Sequence, residues 1–302
     1  MVEVDIVLVT YNGSKWINKC LSSIRESTVQ PHVLLIDNCS TDDTLNLVAD
    51  FNDLSLETIK LDRNLGFGKA NNVGLRKSVE RGTDYIYLLN QDAYLKPDTL
   101  SLLIETHLAS NNAYGVLSPL HVNATETALD FNFSRYLMPG KCPDLYSDSL
   151  LNQEISNVYT VDFVNAAGWL ISQKCLSKVG GFNPIFEHYG EDVNYADRVK
   201  YHGYKIGVVP GATMIHDRKS GIEATYDLNQ LKYFKRSVLI SMSVPGTSFG
   251  FVSFLKWLMS KNYLSLINPA KFIPRLLFFI KNRREAIKCV VLTEKQGAFI
   301  TE

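Results

Sequence analysis

Three polar residues, Asn90, Gln91 and Asp92, close the apolar run Tyr85–Leu89 in YIYLLNQDAYL. A strand end of this kind suits a hard divalent cation and the phosphate it accompanies. A plain turn is the competing reading, because Asn and Asp commonly end strands. A second acidic group, Glu191-Asp192, opens GEDVNYADRVKYHG. A carboxylate there is suited to take a proton from a hydroxyl nucleophile, whereas two acids capping a helix are the ordinary alternative. His216, closing VVPGATMIH, offers an imidazole to a metal or serves packing. The stretch NLGFGKANN at 64–72 brings bare backbone and the Lys69 cation to a bound anion. It is neither a dinucleotide fingerprint, since Asn71 takes the third glycine position, nor a P-loop, since Ala70 follows Lys69.

The elements that must position these groups follow from periodicity. VDIVLV (4–9), VLLI (33–36), TIKL (58–61) and Tyr85–Leu89 read as short buried strands. Between them, Ser14–Arg25 has helical spacing, with Trp16, Ile17, Cys20, Leu21 and Ile24 on one face. A second helix is expected over Asp42–Phe51, with Leu45, Val48 and Ala49 inward, and a third over Lys69–Arg81. Alternating strand and helix predict an α/β fold with a mostly parallel central sheet. In such a sheet the groups Thr10-Tyr11-Asn12, Asp37-Asn38, Asn64 with Gly66 and Gly68, and Asn90-Gln91-Asp92 all follow strands. They therefore converge on one edge and line a pocket, which outweighs the turn reading of any one of them. Residues 109–156 look irregular. Strands are expected again around VYTVDFV and in NAAGWLIS, where Trp169 on its own reads as core packing. A helix then starts at Glu191-Asp192, with Val193, Ala196 and Val199 inward, and Gly203 ends it.

The chain has 302 residues, 46% hydrophobic and 21% charged, with a formal net charge of zero. That zero hides an asymmetry. Residues 231–302 hold twelve Lys/Arg against three Asp/Glu, a balance of +9, so the first 230 residues carry −9. The basic part combines FGFVSFLKWLM and FIPRLLFFIKNRREAIK and has no unbroken run of about 20 apolar residues, so a spanning helix is not expected. It reads as a helical, basic amphipathic extension, either lying on an anionic membrane surface or capping the rest of the fold. Nucleic-acid binding is set aside, because the basic segment is apolar and separate from the pocket. Five cysteines without a CxxC pair, and a start carrying Glu3 and Asp5, point to a cytoplasmic protein without a signal peptide.

The order VTYNGSKWI, IDNCSTDDT, NLGFGKANNVG, YLLNQDAYL, NAAGWLIS, VGGFNPIFEHYGEDVNYADRVKYHGYKI and VPGATMIH resembles the inverting family 2 glycosyltransferases of the GT-A fold, in particular their bacterial rhamnosyltransferase-like branch. The likeness covers about residues 3–218. It implies a catalytic domain over 1–225 and an extension over 226–302. It further implies transfer of a sugar, with inversion, from a UDP- or dTDP-sugar to a saccharide in cell-surface polysaccharide synthesis; that the acceptor is a lipid-linked saccharide is read from the +9 charge of the extension, not from the likeness. By the resemblance, Thr10 and Tyr11 hold the base, Asp37 accepts from the pyrimidine ring N–H, and Asn64 with the Gly66–Gly68 loop lines the donor. Asp92 and His216 meet Mg²⁺ or Mn²⁺ at the diphosphate, and Asn90 and Gln91 hydrogen-bond the donor. Asp192 is the base, with Glu191 and Trp169 on the acceptor side. The departure is Asn90, where much of the family has the first acid of a DxD motif. A nucleotidyltransferase, or a binding module of the same fold that has lost its metal, remains the alternative.

Overall fold

The computed structural model describes residues 2–218, 231–260 and 269–300. Strands β1 (Val4–Thr10), β2 (His32–Asp37), β3 (Leu56–Lys60) and β4 (Tyr85–Asn90) alternate with helices α1 (Ile17–Arg25), α2 (Thr44–Ala49) and α3 (Phe67–Arg81). Next come β5 (Ala93–Leu95), α4 (Thr99–Ala109), β6 (Tyr114–Val122), α5 (Phe131–Ser134) and α6 (Pro143–Leu151). They are followed by β7 (Tyr159–Val161), β8 (Gly168–Ser172), α7 (Gln173–Val179), α8 (Glu191–Tyr201) and β9 (Lys205–His216). The C-terminal part holds α9 (Leu231–Met242), α10 (Phe251–Ser260) and α11 (Pro269–Thr293). The boundary expected between residues 225 and 226 lies outside the described residues.

The strands form one nine-stranded sheet in the order β3-β2-β1-β4-β8-β6-β9-β5, with β7 paired to β9. It is mixed but mostly parallel by paired residues. The first four strands run parallel and β6 parallels β9, while β8 enters antiparallel between β4 and β6. Strand alternation sorts side chains into two layers. Ile6, Leu8, Val33, Leu35, Tyr87 and Leu89 face α1, where Ile17, Cys20, Leu21 and Ile24 are all fully buried. Val7, Leu34, Ile36, Ile86 and Leu88 face the opposite layer with Ala70 and Leu75 of α3. A sheet covered on both faces produces the uninterrupted apolar runs of its strands.

Several details depart from the sequence reading. Ala49 is exposed at the end of α2, because the helix stops there and only Thr44 and Val48 turn inward. Within α8, Tyr195 and Arg198 join the buried face and Val193 is only half-buried. The stretch read as irregular contains β6, α5 and α6; Pro119 and a register shift between Pro119 and Leu120 break the periodicity of β6.

The C-terminal helices bury Phe234, Val238, Met242, Phe254, Leu258 and Phe279 against one another. They are tied to α8 through Asn194, whose amide donates to the Ser243 carbonyl at 3.0 Å. The tail returns to the main core, where Gly181 N–H donates to the Ala298 carbonyl at 2.8 Å and Ile300 is buried.

Close approach of α3 to the sheet depends on Gly74, where an added Cβ would lie 2.4 Å from Val7 Cγ1. Gly74→Ala gains about 1 kcal/mol of helix propensity but overpacks the layer, which costs about 1–3 kcal/mol. We expect a net loss of stability, read as a lower urea midpoint at unchanged m-value.

Candidate active site

The parallel register aligns Thr10 at the end of β1 with Asp37 at the end of β2. Thr10 is fully buried, and its hydroxyl donates to Asp37 Oδ1 at 3.2 Å while Ser40 N–H donates to Oδ2 at 3.2 Å. The expectation that Thr10 touches a base is therefore corrected: it orients Asp37. Tyr11 is 46% exposed and presents its ring to the cleft. Asn12, with φ of 47°, accepts from Thr41 N–H at 2.8 Å and shapes the turn rather than the cavity wall.

Asn38 joins β2 to the glycine loop. Its amide donates to Asn64 Oδ1 at 2.9 Å, and its carbonyl oxygen accepts from Leu65 N–H at 2.7 Å. Asn64 Oδ1 also accepts from Gly66 N–H at 2.8 Å. Gly66 has φ of +80°, and a Cβ there would meet the Glu187 carbonyl oxygen at 2.3 Å, so the loop touches the 187–190 segment through bare backbone. Gly68 does not face a ligand. It is buried in the first turn of α3, where a Cβ would stand 3.1 Å from Phe182 Cβ and 3.4 Å from Glu191 Cβ. Its missing side chain lets α3 pack against the start of α8. Lys69 lines the cavity, joined by Arg63, which sequence reasoning did not single out.

Gln91 is likewise reassigned. Its Oε1 accepts from Tyr11 N–H at 2.9 Å and its amide donates to the Tyr11 carbonyl at 3.2 Å, so this side chain clamps the end of β1. Asn90 keeps its side chain in the cleft. Asp92 follows, and the antiparallel pairing of Ala93 with His216 sets His216 Nε2 at 3.6 Å from Asp92 Oδ1. Burial opposes ionisation of Asp92, but His216 and Arg218 outweigh it and hold the carboxyl below the usual range. Arg218, also unremarked in the sequence, is anchored by Asp130, to which its Nε donates at 2.8 Å. Behind His216 lies His121, which burial, then His216 and Arg218, push far below the usual histidine range; it stands neutral.

Glu191 and Asp192 begin α8 after Gly190. Burial, then the charge of Glu191, raises the Asp192 carboxyl to about 6. Glu191 is 4% exposed, its Oε2 has no hydrogen-bond partner, and burial raises it too. Arg236 of α9 lines the same wall, its guanidinium 5.3 Å from the Tyr189 ring centroid. Tyr136 and Phe163, edge to face at 5.1 Å, extend this wall toward Arg135 and Lys141. The signal for Tyr136, Arg135 and Lys141 was the mixed aromatic and basic stretch FNFSRYLMPGK, which lacks a regular period. Trp169 is corrected outright. It is fully buried in β8 against Phe182 and Tyr195 and has no face to offer an acceptor.

Two cavities thus form one cleft. One of about 960 Å³ carries Tyr11, Asn38, Asn64 and Lys69; one of about 700 Å³ carries Asp192, Glu191, His216 and Arg218. They share Asn90, Asp92, Phe67, His188 and Tyr189. Compared with known families, residues 5–158 match Glycosyl transferase family 2, more than half of the chain. The chain belongs to this family. As a family 2 member it is similar to the dTDP-rhamnosyl transferase RfbF of Shigella flexneri, at 23% identity over 212 residues, 70% of this chain and 67% of RfbF. It is 30% identical over 105 residues to the poly(ribitol-phosphate) beta-N-acetylglucosaminyltransferase TarS of Staphylococcus aureus, 33% of this chain but only 18% of TarS. In three dimensions it superposes on TarS 1-349 in complex with UDP-GlcNAc with a TM-score of 0.59 at 16% identity, covering 97% of this chain and 90% of that one. The mannosyltransferase PcManGT of Pyrobaculum calidifontis, in complex with GDP-Man and Mn2+, gives 0.58 at 17% identity, covering 96% and 78%. The fold is GT-A-like, as expected for family 2. Relatives in this family include proteins named for teichoic acid and succinoglycan synthesis.

Asp192 carries a test of its environment. A folded-state carboxyl raised to about 6, against an ordinary value of 3.8, holds its proton between those values and ionises at a cost to stability above them. Asp192→Asn should therefore melt higher than the parent protein above pH 6 and match it below about pH 4, where both side chains are neutral. Equal melting temperatures across the whole range would contradict the raised value. Gly66→Ala should weaken nucleotide binding by forcing the loop off Glu187, and the positive φ should also lower the melting temperature.

Proposed function

We propose that the chain transfers a sugar from a UDP- or dTDP-sugar to a hydroxyl of a saccharide or lipid-linked saccharide, by a single displacement with inversion. The observation that carries this reading is the placement of Asp92 where the two cavities meet, with Asp192 on the wall of one and the hydrogen-bonded pair Asn38–Asn64 on the other. Asp37 retains free lone pairs on both carboxylate oxygens, so a pyrimidine N–H can still be accepted. Tyr11 supplies a stacking face for the base, and Lys69 a counter-charge for the diphosphate.

Among the described residues, no group of three or more His, Cys, Asp or Glu gathers to hold a metal. Asp92 Oδ1 and His216 Nε2 nevertheless lie 3.6 Å apart in the cleft. One carboxylate and one imidazole fit Mg²⁺ or Mn²⁺ when diphosphate oxygens and water complete the sphere. Such a cation, when bound, supplies charge stabilisation to the departing nucleoside diphosphate. Arg218 adds a fixed positive charge on the same wall.

Asp192 takes the proton of the acceptor hydroxyl as it attacks the anomeric carbon. Its raised value, near 6, keeps it ionised yet basic at neutral pH. Glu191 braces the acceptor pocket beside it. Inversion requires the base and the leaving group on opposite faces of the sugar, so this reading needs the donor's anomeric carbon between Asp192 and the diphosphate at Asp92.

Two experiments test the reading. Melting of the full chain with UDP, dTDP, GDP and CMP, each with and without Mn²⁺, should show one cation-dependent pyrimidine response. At a hundredfold excess over Kd it should approach about 2.7 kcal/mol, and Asp92→Ala should abolish it. Asp192→Asn should keep that response while kcat falls about 10²–10⁴-fold. A folded chain that responds to no nucleotide would instead be a binding module that has lost its donor.

A further inference from the structure

The last helix carries an apolar row that the fold does not use. Ile273, Leu277, Ile280, Ile287 and Val291 on α11 recur at steps of four and three residues, and Arg284 fills the position the row skips. Each of the five is between 44% and 60% exposed. The inward face of the same helix is already satisfied, since Phe279 stacks on Phe254 at 4.3 Å and Ala286 and Cys289 are buried. On α10, Val252 and Met259 stand 64% and 58% exposed, seven residues apart and so on one side of the helix. Between α10 and α11 runs a groove of about 680 Å³. Its apolar lining is Phe251, Phe279, Ile280 and Ile287, and its cations are Arg283, Arg284 and Lys288. Among the described residues, Lys288 pairs with Glu285 at 3.3 Å, exposed on both sides, and neither Arg283 nor Arg284 forms a salt bridge.

We propose that this α10–α11 face docks on an anionic phospholipid surface, with the groove between the helices taking a phosphodiester headgroup. Apolar side chains flanked by Lys and Arg are the pattern of a helix lying in the membrane interface, with basic stems reaching up to the headgroups. Nothing has to cross the bilayer: among the described residues no helix is long and apolar enough to do so. A second copy of the chain fits the face poorly. Pairing two such rows would set Lys281, Arg283 and Lys288 against like charges and would bury Arg284 at the seam. A lipid surface of negative charge instead gains from every one of these cations.

The docked face and the acceptor wall belong to one helical block. Phe234 of α9 packs edge to face on Phe254 of α10, and α9 also delivers Arg236 to the cavity that holds Asp192. Docking would therefore orient that cavity toward material held at the membrane. This deepens the lipid-linked acceptor reading and rests on it only for the acceptor; docking itself needs no donor chemistry.

The test is co-sedimentation of the full chain with vesicles of phosphatidylcholine alone or with added phosphatidylglycerol. Nucleotide-dependent melting is measured on the same preparation. We expect binding only to the anionic vesicles, weakening as salt is raised. Combined Arg283→Gln, Arg284→Gln and Lys288→Gln should reduce it on the order of 100-fold. Ile280→Ser with Ile287→Ser should also release the chain, and both variants should keep the parent melting temperature and nucleotide response. A folded, nucleotide-responsive chain that ignores anionic vesicles would overturn the proposal and leave the transferase reading standing. So would a lipid-free dimer in sedimentation equilibrium that the Ile280/Ile287 variant dissolves. Vesicle binding without any nucleotide response would instead count against the transferase reading alone.

Discussion

The antiparallel pairing of three-residue β5 with the far end of β9 is the contact on which the cleft depends. It sets His216 opposite Ala93 and so beside Asp92, two groups remote in sequence. A strand of three residues has little pairing energy of its own, and the surroundings supply the rest. Ala93, Tyr94 and Leu95 are all buried, Tyr94 donates to Asp217 at 2.9 Å, and Thr99 of α4 donates to the Thr213 carbonyl at 2.6 Å. Asp217 N–H also donates to the Asp92 carbonyl at 2.8 Å. The position of the Asp92 side chain is thus over-determined by backbone and core, which is what a site built on rigid elements requires.

The opposite wall is governed by desolvation. Glu191 and Asp192 stand side by side at the start of α8, and both are raised chiefly by burial. The helix dipole favours negative charge there. Much of the burial comes from long-range packing. Gly68 lets α3 approach Glu191, Phe186 and Ile240 close over Gly190, and α9 adds Arg236. The helical extension therefore does more than lengthen the chain; it sets the polarity in which the two acids titrate.

The sheet edge was legible in the sequence because buried parallel strands show as short apolar runs, and a polar residue directly after such a run lies at the ligand edge. That logic placed Tyr11, Asn38, Asn64, Asp92 and His216 around one cleft, whereas Asp192, at a helix start, was pointed to by the family resemblance. It did not reveal where a polar side chain turns. Thr10 and Gln91 point back into the scaffold, to Asp37 and to the Tyr11 backbone, and nothing in composition distinguishes that from a ligand contact. Trp169 was ambiguous for the same reason, since a buried aromatic and a stacking one read alike. The walls at Tyr136, Phe163 and Arg218 were hidden differently. Tyr136 comes from a region whose strand is interrupted by Pro119 and whose helix α5 has only four residues, too short to leave a period, while Phe163 and Arg218 follow β7 and β9 and reach the wall only through the tertiary fold.

The neutral residue at position 90 has a consistent place in this electrostatic scheme. It lines both cavities, next to Asp92 in the chain, and shares one of them with Glu191 and Asp192. A carboxylate there would be a further acid in a partly buried cleft, and like charges raise one another's pKa. Asp92 stays below the ordinary range because contact with His216 and the nearby Arg218 charge outweigh its burial. Asn90 thus keeps one acid ionised without a second that would need its own compensation in the absence of donor. The cost falls on cation affinity: with one carboxylate and one imidazole, tight binding waits for the diphosphate oxygens, so cation and donor should enter this cleft together.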